Sequence, residues 1–415
     1  MKGPLRAFYI FFTFPTQAGN KLFGAPCECG GKLAGPGPLL CPNDEKEFEL
    51  SPSRWLAILA SLAVLAIGVS ACGSSSDDSS GSAAAGDLSG QIAGAGSTAQ
   101  EAAQEAWIAE FENANSGATV SYDAVGSGGG REQFIAGGVA YAGSDAALST
   151  EEGELEKAAK RCGSGKLVEV PAYISPIAVI YNLEGVESLQ LDPETLAKIF
   201  NQEITAWDDP AIAKDNPGTE LPDTRITPVN RSDESGTTQN FTEYLSEVVP
   251  SIWKYEVSGD WPVKGGEAAQ GTSGVVEAVT AGDGAIGYAD ASQAGELGVA
   301  TIKVGKEYAE PTPAAAAKIV EESPEAKDLA KSPYMFPFEL DRKTESQGTY
   351  PIVLVSYLIG CTKYGSAGEG ELVKGYFEYA VSSEGQEIAA ENAGSAPLSA
   401  GLAKKIAPAV EAIEG

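Results

Sequence analysis

Histidine is absent from the 415-residue chain. That removes the imidazole base of Ser-His-Asp and Cys-His catalysis, and with it the ligand that most catalytic zinc sites use. Basic residues are scarce as well: 28 Lys and Arg stand against 58 Asp and Glu, a formal net charge of −30. So acidic a chain has no broad cationic face for nucleic acid or anionic lipid. A small anion remains an admissible ligand. Carboxylates farther away than roughly 8 Å are largely screened at physiological salt, so local hydrogen bonds decide. Cysteines number only six. Cys27, Cys29 and Cys41 lie close together, but three thiols without a histidine make a poor zinc site. No metal and no cofactor are expected. No internal repeat is present, and the length exceeds what one compact core holds, so two lobes are expected.

Long apolar runs are also few. One uncharged stretch extends from Trp55 to Ala71, follows Arg54, and ends in Val69-Ser70-Ala71-Cys72. It is short for a membrane span and has small residues before the cysteine. It looks like a bacterial lipoprotein signal peptide over residues 51–71, with Cys72 as the lipidated first residue of the mature chain. Residues 72–87 are rich in Ser, Gly and Asp and read as a flexible tether. Residues 1–50 precede the signal and read as an extension from a start assigned too far upstream. Outside the cytoplasm, the distant Cys162 and Cys361 would meet oxidising conditions in which a disulfide can form.

From residue 88 onward, helix-like and strand-like patterns alternate, which points to an α/β fold with mixed sheets flanked by helices. Ala103, Trp107 and Phe111 recur at helical spacing, with Ser97 or Thr98 as the cap. Asp192 before Pro193 reads as an N-cap with proline in the first turn. Phe241, Tyr244, Leu245 and Val248 form an i, i+3, i+4, i+7 stripe.

Three loops of Gly, Ser and Thr stand at ends of apolar runs or starts of helices. They are Gly94-Ala95-Gly96-Ser97-Thr98, Gly126-Ser127-Gly128-Gly129-Gly130 and Ser235-Gly236-Thr237-Thr238. Free N–H groups and the positive end of the helix dipole can hold an oxyanion there. Each loop alone is better read as a helix cap; three of them beside Arg231 move the reading towards an anion. None has the spacing of a nucleotide loop. Arg231 offers a planar donor fork, and Asp233 is close enough in sequence to orient it. Asp145 has two readings. It caps a following helix, or it accepts a hydrogen bond from a ligand that carries a proton, which would select phosphate over sulfate.

Taken together, "GAGSTA", "VGSGGGREQF", "GSDAALS", "ISPIAVIYNL", "ITAWDDPAI", "RSDESGTTQNFTEYLS", "GAIGYAD" and "TYPIV" resemble the periplasmic phosphate-binding protein of the bacterial ABC phosphate importer, in its lipoprotein form. The resemblance implies a two-lobed, type II periplasmic-binding-protein fold with two hinge crossings. One lobe would combine residues 88–173 with 352–415, and the other would hold 174–351. It implies phosphate contacts at Thr98, the Ala99 N–H, Ser127, Asp145, Arg231, Ser235, Gly236 and Thr237, with Asp233 holding the arginine. The Cys162 and Cys361 pair looks like that of actinobacterial members. The implied protein is no enzyme. It is a monomer anchored through Cys72 on the outer face of the cytoplasmic membrane, and it hands phosphate to an ABC permease. The family's Thr-Phe-Pro is Thr98-Ala99-Gln100 here, which puts local packing in doubt. The residues leave open an arsenate-like ligand, and a secreted phosphatase using Ser127 or Thr237 stands as a rival.

Overall fold

The computed structural model describes residues 88–150 and 153–414. The expected extension, signal peptide, Cys72 and the whole tether lie outside the described residues. In chain order the first elements are β1 (Ser89–Gly96), α1 (Glu101–Ala114), β2 (Gly117–Asp123), α2 (Ser127–Ala136), β3 (Tyr141–Ser144), α3 (Glu154–Cys162) and β4 (Leu167–Asn182). There follow β5 (Gln190–Leu191), α4 (Pro193–Phe200), α5 (Pro210–Asp215), β6 (Thr227–Arg231), α6 (Gly236–Val248), β7 (Glu267–Ala269), α7 (Gly271–Ala281) and β8 (Ala285–Asp290). The chain ends with β9 (Gly298–Val304), β10 (Glu307–Ala309), α8 (Pro313–Glu322), β11 (Val353–Cys361), α9 (Ala367–Val381), α10 (Ser383–Ala393) and α11 (Ala400–Glu411).

The main strand order is β2-β1-β3-β11-β4-β8-β6-β7. Both β2 and β3 run parallel to β1, and β7 and β8 run parallel to β6, so each half of the sheet is a small parallel α/β unit. The long strand β4 joins them. Its residues up to Pro176 pair antiparallel with β11, and from Ile177 onward they pair with β8. The sequence suggests two apolar runs broken by Pro171 and Pro176; the structure has one strand. Proline lacks the N–H that a ladder needs and is tolerated at bulges and ends. Here Pro171 falls where the register shifts between Ser356 and Tyr357, and Pro176 falls where β4 changes partners.

Covered faces explain the apolar strands: β4 is buried from Leu167 to Tyr181, and β11 is buried throughout. Helix α1 contributes Trp107 and Phe111 to the core, as its spacing predicts. Asp192 caps α4, accepting from the Thr195 N–H at 2.8 Å, with proline in the first turn. In α6, Phe241 stacks on Tyr288 of β8 at 4.5 Å between centroids, which holds the helix against the sheet.

Cys162 at the end of α3 and Cys361 at the end of β11 form a disulfide with Cα atoms 5.1 Å apart. They close a loop spanning a sequence separation of 199, which restricts the unfolded chain strongly. Replacing both by serine is expected to cost about 2–5 kcal/mol in unfolding free energy, read from denaturant titration.

A second stability prediction concerns Glu169 on β4. It is fully buried; one carboxylate oxygen accepts from the Leu148 N–H at 2.8 Å and the other has no partner. Burial pushes this carboxyl from its ordinary 4.5 up to about 8, against the Leu148 N–H, which lowers it. The folded state therefore binds this proton more tightly than the unfolded state, and its contribution is lost as pH rises from about 4.5 to about 8. Asp290, raised by burial to about 6, adds the same sign at lower pH. Glu169→Gln should flatten the fall in melting temperature over that range and be more stable than the parent at pH 8.

Candidate functional site

The carboxyl ends of β1, β2, β3 and β6 release the candidate residues, the place where parallel α/β sheets carry ligands. Parallel pairing sets Gly96 at the end of β1 beside Gly143 in β3. This puts the Ser97–Gln100 turn next to Ser144 and Asp145. Neither Ser97 nor Thr98 caps α1, whose N-cap is Gln100 with no side-chain hydrogen bond; Ser97 Oγ accepts instead from the N–H groups of Ala99 at 3.1 Å and Gln100 at 3.3 Å in the turn ahead of the helix. Thr98 instead reaches the start of α7, where its Oγ1 lies 2.8 Å from Thr272 Oγ1 and accepts from the Thr272 N–H at 3.0 Å.

The glycine run reads from the sequence as a break before a helix starting near Arg131. It is the first turn of α2, which begins at Ser127. Gly126 enters that helix at φ +92°, a conformation that favours glycine, and a side chain there would meet Asp233 Oδ2 at 2.6 Å. Ser127 Oγ accepts from the Asp145 N–H at 3.2 Å.

From the other half of the sheet, β6 delivers Arg231. Its Nε donates to Asp233 Oδ1 at 2.8 Å, and Nη2 is paired with Asp233 Oδ2. Burial pushes the Asp233 carboxyl up, but the hydrogen bond and charge of Arg231, with the Gly271 N–H, outweigh it and hold the group below its ordinary value. Ser235 caps α6 by accepting from the Thr238 N–H at 3.2 Å. Gly236 packs so tightly across the site that a Cβ there would stand 2.7 Å from Ser127 Oγ and 2.8 Å from the Ala146 N.

Asp145 caps no helix: the next one, α3, starts at Glu154. Its carboxylate is 2% exposed and accepts from Thr237 Oγ1 at 2.9 Å on Oδ2 and from Ser356 Oγ at 2.8 Å on Oδ1. Asn240, one turn into α6, donates to the Asp145 carbonyl at 2.8 Å. The structure thus brings Ser127, Asp145, Gly236 and Thr237 into direct contact, and places Arg231 with Asp233 beside them against Gly126. Thr98 joins through α7, whose Gly271 N–H donates to Asp233 at 3.1 Å. The Ala99 N–H is turned to Ser97.

Sequence reasoning missed several participants. Tyr288 pairs with Thr238 Oγ1 at 2.7 Å and accepts from the Arg231 N–H at 3.4 Å. Arg131 spans the two halves, meeting Glu154 at 2.6 Å, Ser144 at 2.9 Å and Glu234 at 3.0 Å. Thr272 and Ser356 touch Thr98 and Asp145. A single serine inside the apolar run "VLVSYLIG" is the one signal that could have found Ser356.

Chemically, the starts of α1, α2, α6 and α7 converge on one place, and helix N-termini favour negative charge. The side-chain charges there do not: Arg231 is neutralised by Asp233, and Asp145 adds an unbalanced negative charge. An anion would be held by N–H and O–H donors and by one arginine, not by net positive charge. Among the described residues no group of His, Cys, Asp and Glu could hold a metal ion.

A PBP superfamily domain model matches residues 81–384. The chain is 36% identical over 381 residues to Phosphate-binding protein PstS2 of Mycobacterium bovis, covering 85% of this chain and 98% of that one. It is 35% identical over 372 residues to Phosphate-binding protein PstS 3 of Mycobacterium leprae, with the same coverage. Among solved structures it superposes on PfluDING, a high-affinity periplasmic phosphate-binding protein bound with phosphate. That match has a TM-score of 0.64 at 24% identity and covers 76% of this chain and 92% of that one. The fold expected from the sequence, that of the type II periplasmic binding proteins, is the fold found. These relatives are named as binding proteins, not enzymes. By both sequence and fold, the chain belongs to the PstS family of phosphate-binding proteins.

Proposed function

We propose that this protein captures inorganic phosphate between the two halves of its sheet and delivers it to an ABC permease. The observation that carries the reading is a buried carboxylate, Asp145, that accepts on both oxygens among helix starts, with Arg231 held beside it by Asp233. Thr98, Ser127, Ser235, Gly236 and Thr237 supply hydroxyl and N–H donors; Ala99 contributes by sharing its N–H with Ser97. Arg231 supplies charge and Asp233 orients it. Asp145 accepts a hydrogen bond from the ligand's O–H, and an oxyanion without one would meet it as an uncompensated repulsion. The names and phosphate-bound structures of the relatives support the same ligand.

Capture proceeds by closure of one lobe, residues 88–173 with 352–415, on the other, residues 174–351, through the two chain crossings at β4 and before β11. The change of partner along β4 at Pro176–Ile177 supports that division. No bond is made or broken. The protein works as a monomer, held outside the cytoplasmic membrane by lipid on Cys72. The lipobox-like Val69-Ser70-Ala71-Cys72 supports the anchor, and no helix among the described residues is long and apolar enough to cross a membrane.

Equilibrium dialysis of phosphate-stripped protein against labelled phosphate tests the ligand. Saturable binding of one phosphate is expected, and no retention above a control protein would refute it. Turnover of p-nitrophenyl phosphate would favour the phosphatase instead. Cys72→Ala should move the protein from the membrane fraction to the medium; a variant that stays membrane-bound contradicts the anchor.

A further inference from the structure

Behind Asp145 lies a row of buried polar side chains that leads away from the ligand residues into the core. Tyr141 of β3 and Tyr376 of α9 both donate to Gln104 Oε1, at 3.0 and 2.6 Å. Gln104 Nε2 donates to Gln100 Oε1 at 2.6 Å, one turn earlier along the start of α1. Gln100 Nε2 donates to Ser356 Oγ at 3.0 Å, and Ser356 Oγ donates to Asp145 Oδ1 at 2.8 Å. Tyr141, Tyr376, Gln104, Gln100 and Ser356 are all fully buried. Ser356 lies on β11 where the register against β4 shifts, opposite a bulge of β4 whose extra residue is Ala172.

The direction of this row follows from its far end. Each tyrosine has one hydroxyl proton, and both hydroxyls reach the same amide. With the Gln104 amide reversed, its NH₂ would face two donors, and the Tyr141 and Tyr376 protons would need other acceptors. Even with one hydroxyl donating to the other, one proton would stay buried and unpaired, which is costly. The amide oxygen of Gln104 therefore faces the tyrosines. Its NH₂ then fixes the Gln100 oxygen, the Gln100 NH₂ occupies the Ser356 lone pair, and the serine proton has only Asp145 to meet.

We propose that Gln104, Gln100 and Ser356, oriented by Tyr141 and Tyr376, are positioning residues that make Asp145 an acceptor only, and so set the site's selectivity for an oxyanion that carries a proton. In the opposite polarity Asp145 would keep a proton of its own and donate it, and an unprotonated oxyanion such as sulfate would be tolerated. The inference rests on the phosphate reading above and adds what enforces it.

The test compares phosphate and sulfate dissociation constants for the parent, Ser356→Ala, Ser356→Thr and the Tyr141→Phe/Tyr376→Phe double variant. The tyrosine hydroxyls touch none of the ligand residues. Their loss should nevertheless lower the sulfate-to-phosphate ratio of dissociation constants roughly tenfold or more, with phosphate affinity less affected. Ser356→Ala should do the same, and Ser356→Thr, which keeps the hydroxyl, should retain the parent ratio. An unchanged ratio in folded Ser356→Ala overturns the proposal, as does a loss of phosphate affinity with the ratio preserved, the mark of a merely structural role. If the double variant does not fold, the Ala and Thr pair at Ser356 carries the test. A parent protein that binds no phosphate would refute the phosphate reading instead.

Discussion

Arg231→Ala is expected to weaken phosphate binding by roughly 100- to 1,000-fold. The side chain is 3% exposed and held by Asp233 through Nε and Nη2. Its removal takes away a fixed charge and a planar donor fork together. It also leaves Asp233 half-buried without its partner, beside the place where the anion must sit. Both effects have the same sign. Ser127→Ala, by contrast, removes one hydroxyl and no charge, so it should cost roughly tenfold or less. Arg231→Lys keeps the charge but cannot hold Asp233 through two donors, and should fall between them. Titration calorimetry on phosphate-stripped variants orders the three; equal losses for Arg231→Ala and Ser127→Ala would contradict the assigned roles.

Asp145→Asn should lower discrimination against sulfate by roughly 100-fold or more. In the parent, Ser356 and Thr237 donate to the two carboxylate oxygens, so any ligand oxygen approaching Asp145 must bring its own proton. The asparagine oxygen can keep the Ser356 bond, while its NH₂ takes the place of Oδ2. Thr237 can rotate its hydroxyl to accept, and the new donor faces the ligand. A site that repelled an unprotonated oxygen then offers it a hydrogen bond. Phosphate affinity should change less than sulfate affinity, because phosphate has oxygens of both kinds. Unchanged selectivity would refute the role given to Asp145.

Where local chemistry is decisive the sequence was readable. Asp192 before Pro193 set the start of α4, and the Phe241, Tyr244, Leu245 stripe set the buried face of α6. Arg231 and Asp233, two residues apart, meet as their spacing suggests. Tertiary packing overrode local preference elsewhere. Glycine disfavours helix by about 1 kcal/mol per residue, so Gly128-Gly129-Gly130 reads as a break. In the fold Glu234 lies against Gly128, and the β1 backbone lies against Gly130, leaving no room for side chains. The prolines of β4 fall at a register shift and at a change of partner that only the assembled sheet defines. The residues behind Asp145 were invisible for a related reason: Gln100 and Ser356 are 256 positions apart and meet only across α1 and β11. Asp145 itself was open between a cap and an acceptor. The start of α3 at Glu154 removes the cap, and the hydroxyls of Thr237 and Ser356 that donate to the carboxylate support the acceptor proposed above.

The central claim is that a buried acceptor among helix starts selects a protonated oxyanion. Competition calorimetry tests it most directly: phosphate-stripped protein is titrated with phosphate in the presence of excess sulfate, and then with sulfate alone. The account predicts one tight phosphate per chain, undiminished by sulfate, and sulfate binding weaker by orders of magnitude, seen only at far higher sulfate concentration. Sulfate that binds or displaces phosphate at comparable concentration would contradict it.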